Sequence, residues 1–330
     1  MRTQELFARD SAVPADARYL RGASWTAGFG HIALLDFFAK LRLLDLSDQE
    51  HVVLAPPSTV ANPAYLECWR PWLRIETDAT QILDHDTRLR EDYPAVLKVR
   101  GGWYWLHDAM AIVEQRWQAS RGGPLISAPD HVVERGRRML EQWKVPSSAW
   151  FVTIHVREQG LASGGKAEDS VRNANIATYF DAIRLITSVG GWVFRLGHPG
   201  MTPLPKMPQV IDYAHHRAQV DWLDVFLIAR ARFVIATNSG PAWVAGTFGT
   251  PALLTNWGPP GIRTHYRNTM TLPQTLWSSK DKRPLTEREA QAEPWAFLES
   301  ARMLERHGLI SVRNSAHEIA DHVRAMLERY

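Results

Sequence analysis

Short runs of apolar, β-branched residues alternate with longer helical patterns along most of this chain. WFVTIHV at Trp150–Val156 and RFVIAT at Arg232–Thr237 are continuous apolar runs of the kind that form central parallel strands, buried on both faces. Helical patterns such as IATYFDAIRLITSV and DWLDVFLIARA lie between these runs. Strands that alternate with helices predict an α/β fold with parallel sheets.

The first third of the chain follows the same alternation. Its predicted elements are a strand at Arg18–Ser24, a loop containing Gly28 and Gly30, a helix at Ile32–Leu44, a strand at His51–Ala55, a helix capped by Asn62 with Pro63 in its first turn, and a strand near Trp72–Ile75. For VLKVRGGWYWLHDAMAIVEQRW we expect a strand or loop, then a helix that ends near Trp117. The three strands up to Trp72–Ile75, with the helices between them, form a βαβαβ unit.

The second half of the chain has the clearer pattern. After Trp150–Val156 we expect strands at Gly191–Gly197 and in QVIDYA, the strand at Arg232–Thr237, a helix from Pro241, and a strand at Pro251–Thr255. Ser315 is placed to cap a closing helix that presents Ile319, Val323 and Leu327 on one face. The linker-like SRGGP places a domain boundary near residue 125. The prediction is therefore two Rossmann-like domains facing a cleft, over residues 1–125 and 126–330.

Composition narrows the possible functions. The 330 residues carry 38 basic and 35 acidic side chains, a formal charge of +3, which is too balanced for a chain that coats nucleic acid. One cysteine, Cys68, cannot form an intramolecular disulfide, so we expect a reducing, cytoplasmic setting. The richest apolar stretch is interrupted by Arg230 and Arg232, and we expect no transmembrane segment.

Candidate chemistry follows the strand ends, where ligands bind in open α/β sheets. TNSGPAWVAGTFGTPALLTNWGPP, from Thr237, places small polar residues between a strand and a helix, and the backbone amides there suit a phosphate. An ordinary helix cap is the alternative. Arg157 in HVRE could pair with a pyrophosphate or make a structural salt bridge. Arg195 and His198 follow another strand end, where both could simply be solvated.

Several familiar motifs are missing. The sequence contains no Walker loop, no complete GxGxxG fingerprint and no GxSxG elbow, and we expect no metal site and no cofactor. The 14 tryptophans include Trp103, Trp105, Trp243 and Trp257 near predicted loops, where an indole face could stack on a sugar or base, although core packing is the usual role.

These motifs resemble the two-Rossmann-domain (GT-B) glycosyltransferases. TNSGPAWVAGTFGTPALLTNWGP looks like the heptosyltransferase signature, in which a Thr, a Ser-Gly pair and the following helix hold the diphosphate of an ADP-sugar. HVRE looks like the His-x-Arg motif of fucosyltransferases related to the nodulation and protein O-fucosylation enzymes, whose arginine binds the GDP diphosphate. The wider run from HVRE to NSG is similar to a bacterial glycosyltransferase family over residues 125–330.

The resemblance implies a set of site residues. The donor-binding candidates are His155, Arg157, Arg172, Asn173, Arg195, Gly197, Thr237, Asn238, Ser239 and Gly240. Asp212, Tyr213 and Asp224 match the family pattern in positions that suit anchoring as well as sugar binding. Gly28 and Gly30 form the acceptor-side loop, and His31 is the candidate base, where heptosyltransferases have an aspartate. Glu158 and Asp169 are rival bases.

The resulting prediction is a metal-independent glycosyltransferase. It would move a sugar from a nucleotide-diphosphate sugar to the hydroxyl of a glycan, lipid-linked or small-molecule acceptor. Since a fold does not establish an activity, a non-catalytic nucleotide-binding protein and a sugar-nucleotide epimerase are the alternatives.

Overall fold

The structure is a computed structural model that describes residues 17–20, 25–47, 49–78, 96–120, 122–158 and 169–330. In the first half these elements are β1 (Arg18–Leu20), α1 (Phe29–Ala33), α2 (Leu35–Leu43), β2 (His51–Leu54), α3 (Pro63–Glu67), β3 (Arg74–Glu76), β4 (Val96–Val99), β5 (Gly102–Trp105) and α4 (Leu106–Ser120). Strands β1, β2 and β3 form a parallel sheet in that order, which confirms the predicted βαβαβ unit. The predicted strand residues 21–24 lie outside the described residues.

The segment that the sequence leaves between strand and loop is a β-hairpin followed by a helix. Strands β4 and β5 pair antiparallel through the two-residue turn Arg100–Gly101. Both turn residues have positive φ, 46° and 81°, as a type I′ hairpin turn requires. Helix α4 follows at once and buries Leu106, Met110, Val113 and Trp117 along one side. It ends at Ser120, three residues beyond the predicted end.

The second half is built on a six-stranded parallel sheet of order β11-β10-β9-β6-β7-β8. Its elements are α5 (Asp130–Gln142), β6 (Phe151–His155), α6 (Phe180–Ser188), β7 (Trp192–Arg195), β8 (Val210–Ile211), α7 (Asp221–Arg230), β9 (Val234–Ala236), α8 (Gly240–Thr247), β10 (Ala252–Trp257) and β11 (Thr269–Pro273). The strands predicted from continuous apolar runs are thus at the centre of this sheet.

Successive residues of the central strands face two separate apolar clusters. In β9, Val234 and Ala236 join the large cluster that also contains helices α7 and α8, whereas Ile235 joins a second cluster with α6 and the C-terminal helix. Because side chains alternate along a strand, this division shows that both faces of the sheet are covered. Burial on both faces explains why the strands lack polar alternation.

The remaining elements lie at the C-terminal end. They are β12 (Thr275–Ser278), β13 (Arg283–Pro284), α9 (Glu287–Ala290), α10 (Ala301–Arg306), β14 (Leu309–Val312) and α11 (Ala316–Arg329). Strands β13, β12 and β14 form a small antiparallel sheet that the sequence analysis missed. Helix α11 is the predicted closing helix: Ser315 and Glu318 form a capping box, and Ile319, Val323 and Met326 are buried.

Helices from the two halves of the chain interlock. Asn62 caps α3, as predicted, by accepting a hydrogen bond from the Tyr65 amide at 2.8 Å, and its Nδ2 donates to the Asp221 carbonyl at 3.0 Å. The buried Tyr65 hydroxyl lies 2.6 Å from Thr247 Oγ1, which itself donates to the Val244 carbonyl. Tyr65 is therefore the donor of that pair. One apolar cluster runs through both halves, and the boundary at residue 125 stays a prediction.

We expect Tyr65→Phe and Thr247→Val each to lower the free energy of unfolding by about 1–3 kcal/mol, because each removes half of a buried hydrogen bond. The double variant should lose less than the sum of the two, since it leaves no unpaired hydroxyl of Tyr65. Urea unfolding measures all three, with Tyr104→Phe, half exposed on the hairpin, as the control. Strict additivity would mean that the two residues do not interact across the halves.

Candidate active site

A cleft of about 560 Å³ opens where the carboxyl ends of β6, β7 and β9 face helix α1. Ten of the predicted site residues line it: Gly28, Gly30, His31, His155, Arg157, Arg172, Gly197, Asn238, Ser239 and Gly240. Two halves of the chain contribute, since Gly28–His31 precede residue 125 and the others follow it. The strand-end rule therefore identifies one continuous site.

The start of helix α8 forms one wall of the cleft. Ser239 is its N-cap residue, and Pro241 lies in its first turn, where a missing amide hydrogen costs nothing. The Asn238 side chain donates to the Gly258 carbonyl at 3.0 Å and holds the turn in place. Residues 241–247 are all buried, so the partial positive charge at the helix start acts in a poorly hydrated environment. Free amides at such a start can bind an anion.

A hydrogen-bond relay fixes the protonation of His155. Ser239 Oγ donates to the Thr237 carbonyl at 3.0 Å, so its oxygen is an acceptor towards His155 Nδ1, which lies 2.9 Å away. Burial, followed by the charges of Arg195 and Arg157, lowers the pKa of His155 to about 4. The ring is therefore neutral with its proton on Nδ1. Its Nε2 is left as a hydrogen-bond acceptor.

Two guanidinium groups lie close together in the cleft. Arg157 Nη1 donates to Ser170 Oγ at 3.0 Å, and Arg172 Nε donates to the Asn238 carbonyl at 3.0 Å. Burial, followed by the charge of Arg172, lowers the pKa of Arg157. Within the described ranges one carboxylate, Glu299, comes within ion-pair distance of either arginine, 3.3 Å from Arg172. Among the described residues around these two arginines, positive charge thus exceeds negative charge by one, and an anionic ligand would neutralise it.

Arg195 is not in the cleft, contrary to the prediction. Its side chain is fully buried and pairs with Glu158 at 2.8 Å and with Asp212 at 3.2 Å. Both carboxylates in turn accept backbone amides, from Thr202 at 2.8 Å and Leu204 at 2.9 Å. Arg195 therefore holds the loop after β7, which carries Gly197 and His198 into the cleft.

Four other predicted residues also lie outside the cleft. Glu158, Asp169 and Asn173 line a separate cavity of about 460 Å³, and Asp169 accepts a hydrogen bond from Ser300 Oγ there. Thr237 is buried beneath the turn, where its hydroxyl accepts the Arg157 amide at 3.0 Å. Neither rival base is thus among the residues that line the larger cleft.

The cleft contains further residues, two of which sequence reasoning missed. His107 comes from α4 and Glu299 from the segment before α10, and no motif marked either one. Trp243, noted from its position near a loop, also lines the cleft. Asp224 on α7 is half-buried there, and burial, with a smaller contribution from Asp221, raises its pKa to about 7. A carboxyl that titrates near neutral pH can both donate and accept a proton.

Over the described ranges, no three His, Cys, Asp or Glu side chains come together in a way that could hold a metal ion. No described helix has the length and apolar character needed to cross a membrane.

Comparisons with known proteins find similarity in structure alone. No family model and no curated protein matches the sequence. The structure of E. coli ADP-heptose LPS heptosyltransferase II is similar with a TM-score of 0.53 and 11% identity, over 94% of this chain and 98% of that one. A glycosyltransferase family 9 structure from Veillonella parvula has a TM-score of 0.50 and 8% identity, over 79% of this chain and 86% of that one. The chain therefore has the α/β GT-B fold of these glycosyltransferases, as predicted.

The raised pKa of Asp224 predicts a pH-dependent stability. Between pH 4 and 7 the folded protein keeps a proton that the unfolded chain has lost, so this group's contribution to stability falls as pH rises. The unfolding free energy of Asp224→Asn minus that of the parent should therefore be larger at pH 8 than at pH 5, by on the order of 1 kcal/mol. Urea unfolding at both pH values measures it, with Asp130→Asn, exposed at the start of α5, as the control. An unchanged difference between parent and Asn variant would contradict the assignment.

Proposed function

We propose that the protein transfers a glycosyl group from a nucleoside-diphosphate sugar to an acceptor hydroxyl. The observation that carries the proposal is the pair Arg157 and Arg172, two guanidinium groups close enough to repel each other beside the start of α8. One carboxylate, Glu299, neutralises only one of these two charges, and holding the second beside it is unfavourable unless a further anion joins them. A diphosphate supplies that anion and fits the planar, bidentate donors of arginine.

In this proposal catalysis rests on charge stabilisation. As the bond between the anomeric carbon and the diphosphate oxygen breaks, its electron pair stays on the diphosphate, which gains negative charge. Arg157, Arg172 and the amides at the start of α8 are fixed before the reaction and stabilise that charge without rearranging. The reaction is proposed to need no metal ion, so that activity should persist when EDTA is added.

His31 is proposed as the general base. It lies in the first turn of α1, whose start contacts the start of α8, and its side chain is exposed in the cleft. A neutral imidazole there would take the proton of the acceptor hydroxyl while the acceptor oxygen bonds to the anomeric carbon. Glu158 and Asp169 are less suitable because they line the other cavity.

His155 and Asp224 are proposed to bind the donor by hydrogen bonding. His155 Nε2 can only accept, because the relay through Ser239 holds the proton on Nδ1. A hydroxyl group of the sugar or the ribose can donate a hydrogen bond to this nitrogen. The structural similarity to a heptosyltransferase supports a sugar nucleotide as the ligand class.

Arg157→Ala should weaken binding of a nucleoside diphosphate by about 10–150-fold, the effect of losing a charged, bidentate partner worth about 1.5–3 kcal/mol. Binding of the bare nucleoside should change little. Calorimetry with ADP, GDP and UDP and their nucleosides measures both, and Arg138→Ala, exposed on α5, is the matched control. If variant and parent bind every diphosphate equally, Arg157 has no phosphate role.

His31→Ala should lower turnover about 100-fold or more and leave diphosphate affinity unchanged, because it removes proton transfer and no phosphate contact. The assay is release of nucleoside diphosphate from a panel of sugar nucleotides in the presence of candidate acceptors. Asp169→Asn, in the other cavity, should stay within a few-fold of the parent. The opposite ranking would move the base to Asp169, and sugar interconversion without diphosphate release would show an epimerase instead.

A further inference from the structure

The hairpin of β4 and β5 presents an exposed aromatic face. Trp103 and Trp105 are 68% and 65% exposed, more than any other large apolar side chain among the described residues. They are two residues apart on β5 and therefore lie on the same face, about 7 Å from each other along the strand. On the opposite face Leu97 and Val99 are buried and anchor the hairpin to the core. The fold thus presents two indoles to solvent on an anchored hairpin.

The strand that carries this face leads directly into the wall of the candidate cleft. Trp105 is followed directly by α4, whose second residue, His107, lines the cleft. Two residues of extended chain span about 7 Å at most, so the backbone of Trp105 lies within one sugar unit of the cleft wall. The His107 ring stacks on Phe297, with centroids 6.2 Å apart and planes at 17°, and Phe297 is itself 49% exposed. An aromatic pair therefore lies at the cleft edge, two residues along the chain from Trp105.

We propose that Trp103 and Trp105 form a carbohydrate-binding platform for an oligosaccharide acceptor, whose terminal sugar reaches the cleft past His107. The role of this oligosaccharide as an acceptor rests on the proposed function. A sugar ring has one face of C–H groups that packs on an indole, while its hydroxyls stay hydrated, so it can bind an indole that remains largely in water. Lys98, paired with Trp103 across the hairpin, is exposed and can donate to those hydroxyls.

The size and charge of the face favour a sugar over other occupants. A stable protein interface buries about 1,200–2,000 Å² in total, whereas two indoles supply about 150–250 Å² each. Anionic lipid surfaces are bound by clusters of about four to eight basic residues, and the hairpin carries Lys98 and Arg100. A saccharide of two or three units needs neither a larger apolar area nor more basic residues than this face has.

The test begins with the full-length protein on an immobilised panel of neutral and acidic oligosaccharides, followed by calorimetry with those that are retained. Trp103→Ala and Trp105→Ala should each weaken oligosaccharide binding at least about tenfold and leave the affinity for ADP, GDP and UDP unchanged. Tyr104→Ala, on the same strand but the other face, is the matched control and should bind like the parent. Thermal unfolding of each variant tests whether the substitution leaves the fold intact.

Four results would overturn the platform: retention of no oligosaccharide by the parent, equal binding by the Trp variants, loss of a dimer in light scattering on either Trp substitution, or Trp-dependent binding to vesicles of phosphatidylglycerol and phosphatidylethanolamine in place of oligosaccharides. The proposed function fails separately. If the parent binds an oligosaccharide through these tryptophans but releases no nucleoside diphosphate from any sugar nucleotide, the sugar site stands and the transfer reaction does not.

Discussion

A backbone contact between Gly30 and Gly240 holds the two halves of the chain together at the cleft. A Cβ on Gly30 would lie 2.8 Å from the Gly240 Cα, and one on Gly240 would lie 2.9 Å from the Gly30 amide nitrogen. Real side chains do not tolerate such distances, so the starts of α1 and α8 can meet only because both residues lack a side chain. This contact sets the spacing between His31 on one wall and Ser239 on the other, and the proposed transfer depends on that spacing.

Buried cations serve two different purposes in this protein. Arg195 and Lys40 are each surrounded by two carboxylates: Lys40 lies 2.6 Å from both Asp36 and Glu114, and its neutralised charge ties α2 to α4. Arg157 and Arg172 share one carboxylate at the edge of the cleft. Arginines that the fold neutralises hold loops in place, and arginines left with excess charge are available to a ligand.

The fold and the location of the site could be predicted because both follow from local patterns. Apolar runs mark buried strands, and polar residues that follow them, such as Arg157 and Ser239, must lie at one edge of the sheet. The same rule could not separate Arg157 from Arg195, since burial of Arg195 depends on Glu158 and Asp212, which are far from it in sequence. Likewise His107 and Glu299 reach the cleft from segments distant in sequence, and a single sequence carries no signal for such long-range contacts.

The interlocking of Asn62 and Tyr65 with α7 and α8 has a consequence for how a substrate enters. Two domains joined by a small polar contact usually rotate about a hinge, whereas a large apolar interface resists that motion. Here rotation would pull the Tyr65 hydroxyl from Thr247, break the bond from Asn62 to Asp221, and hydrate a core that is continuous between the halves. We therefore expect a preformed cleft whose ligands exchange through its open mouth, without hinge rotation between the two halves.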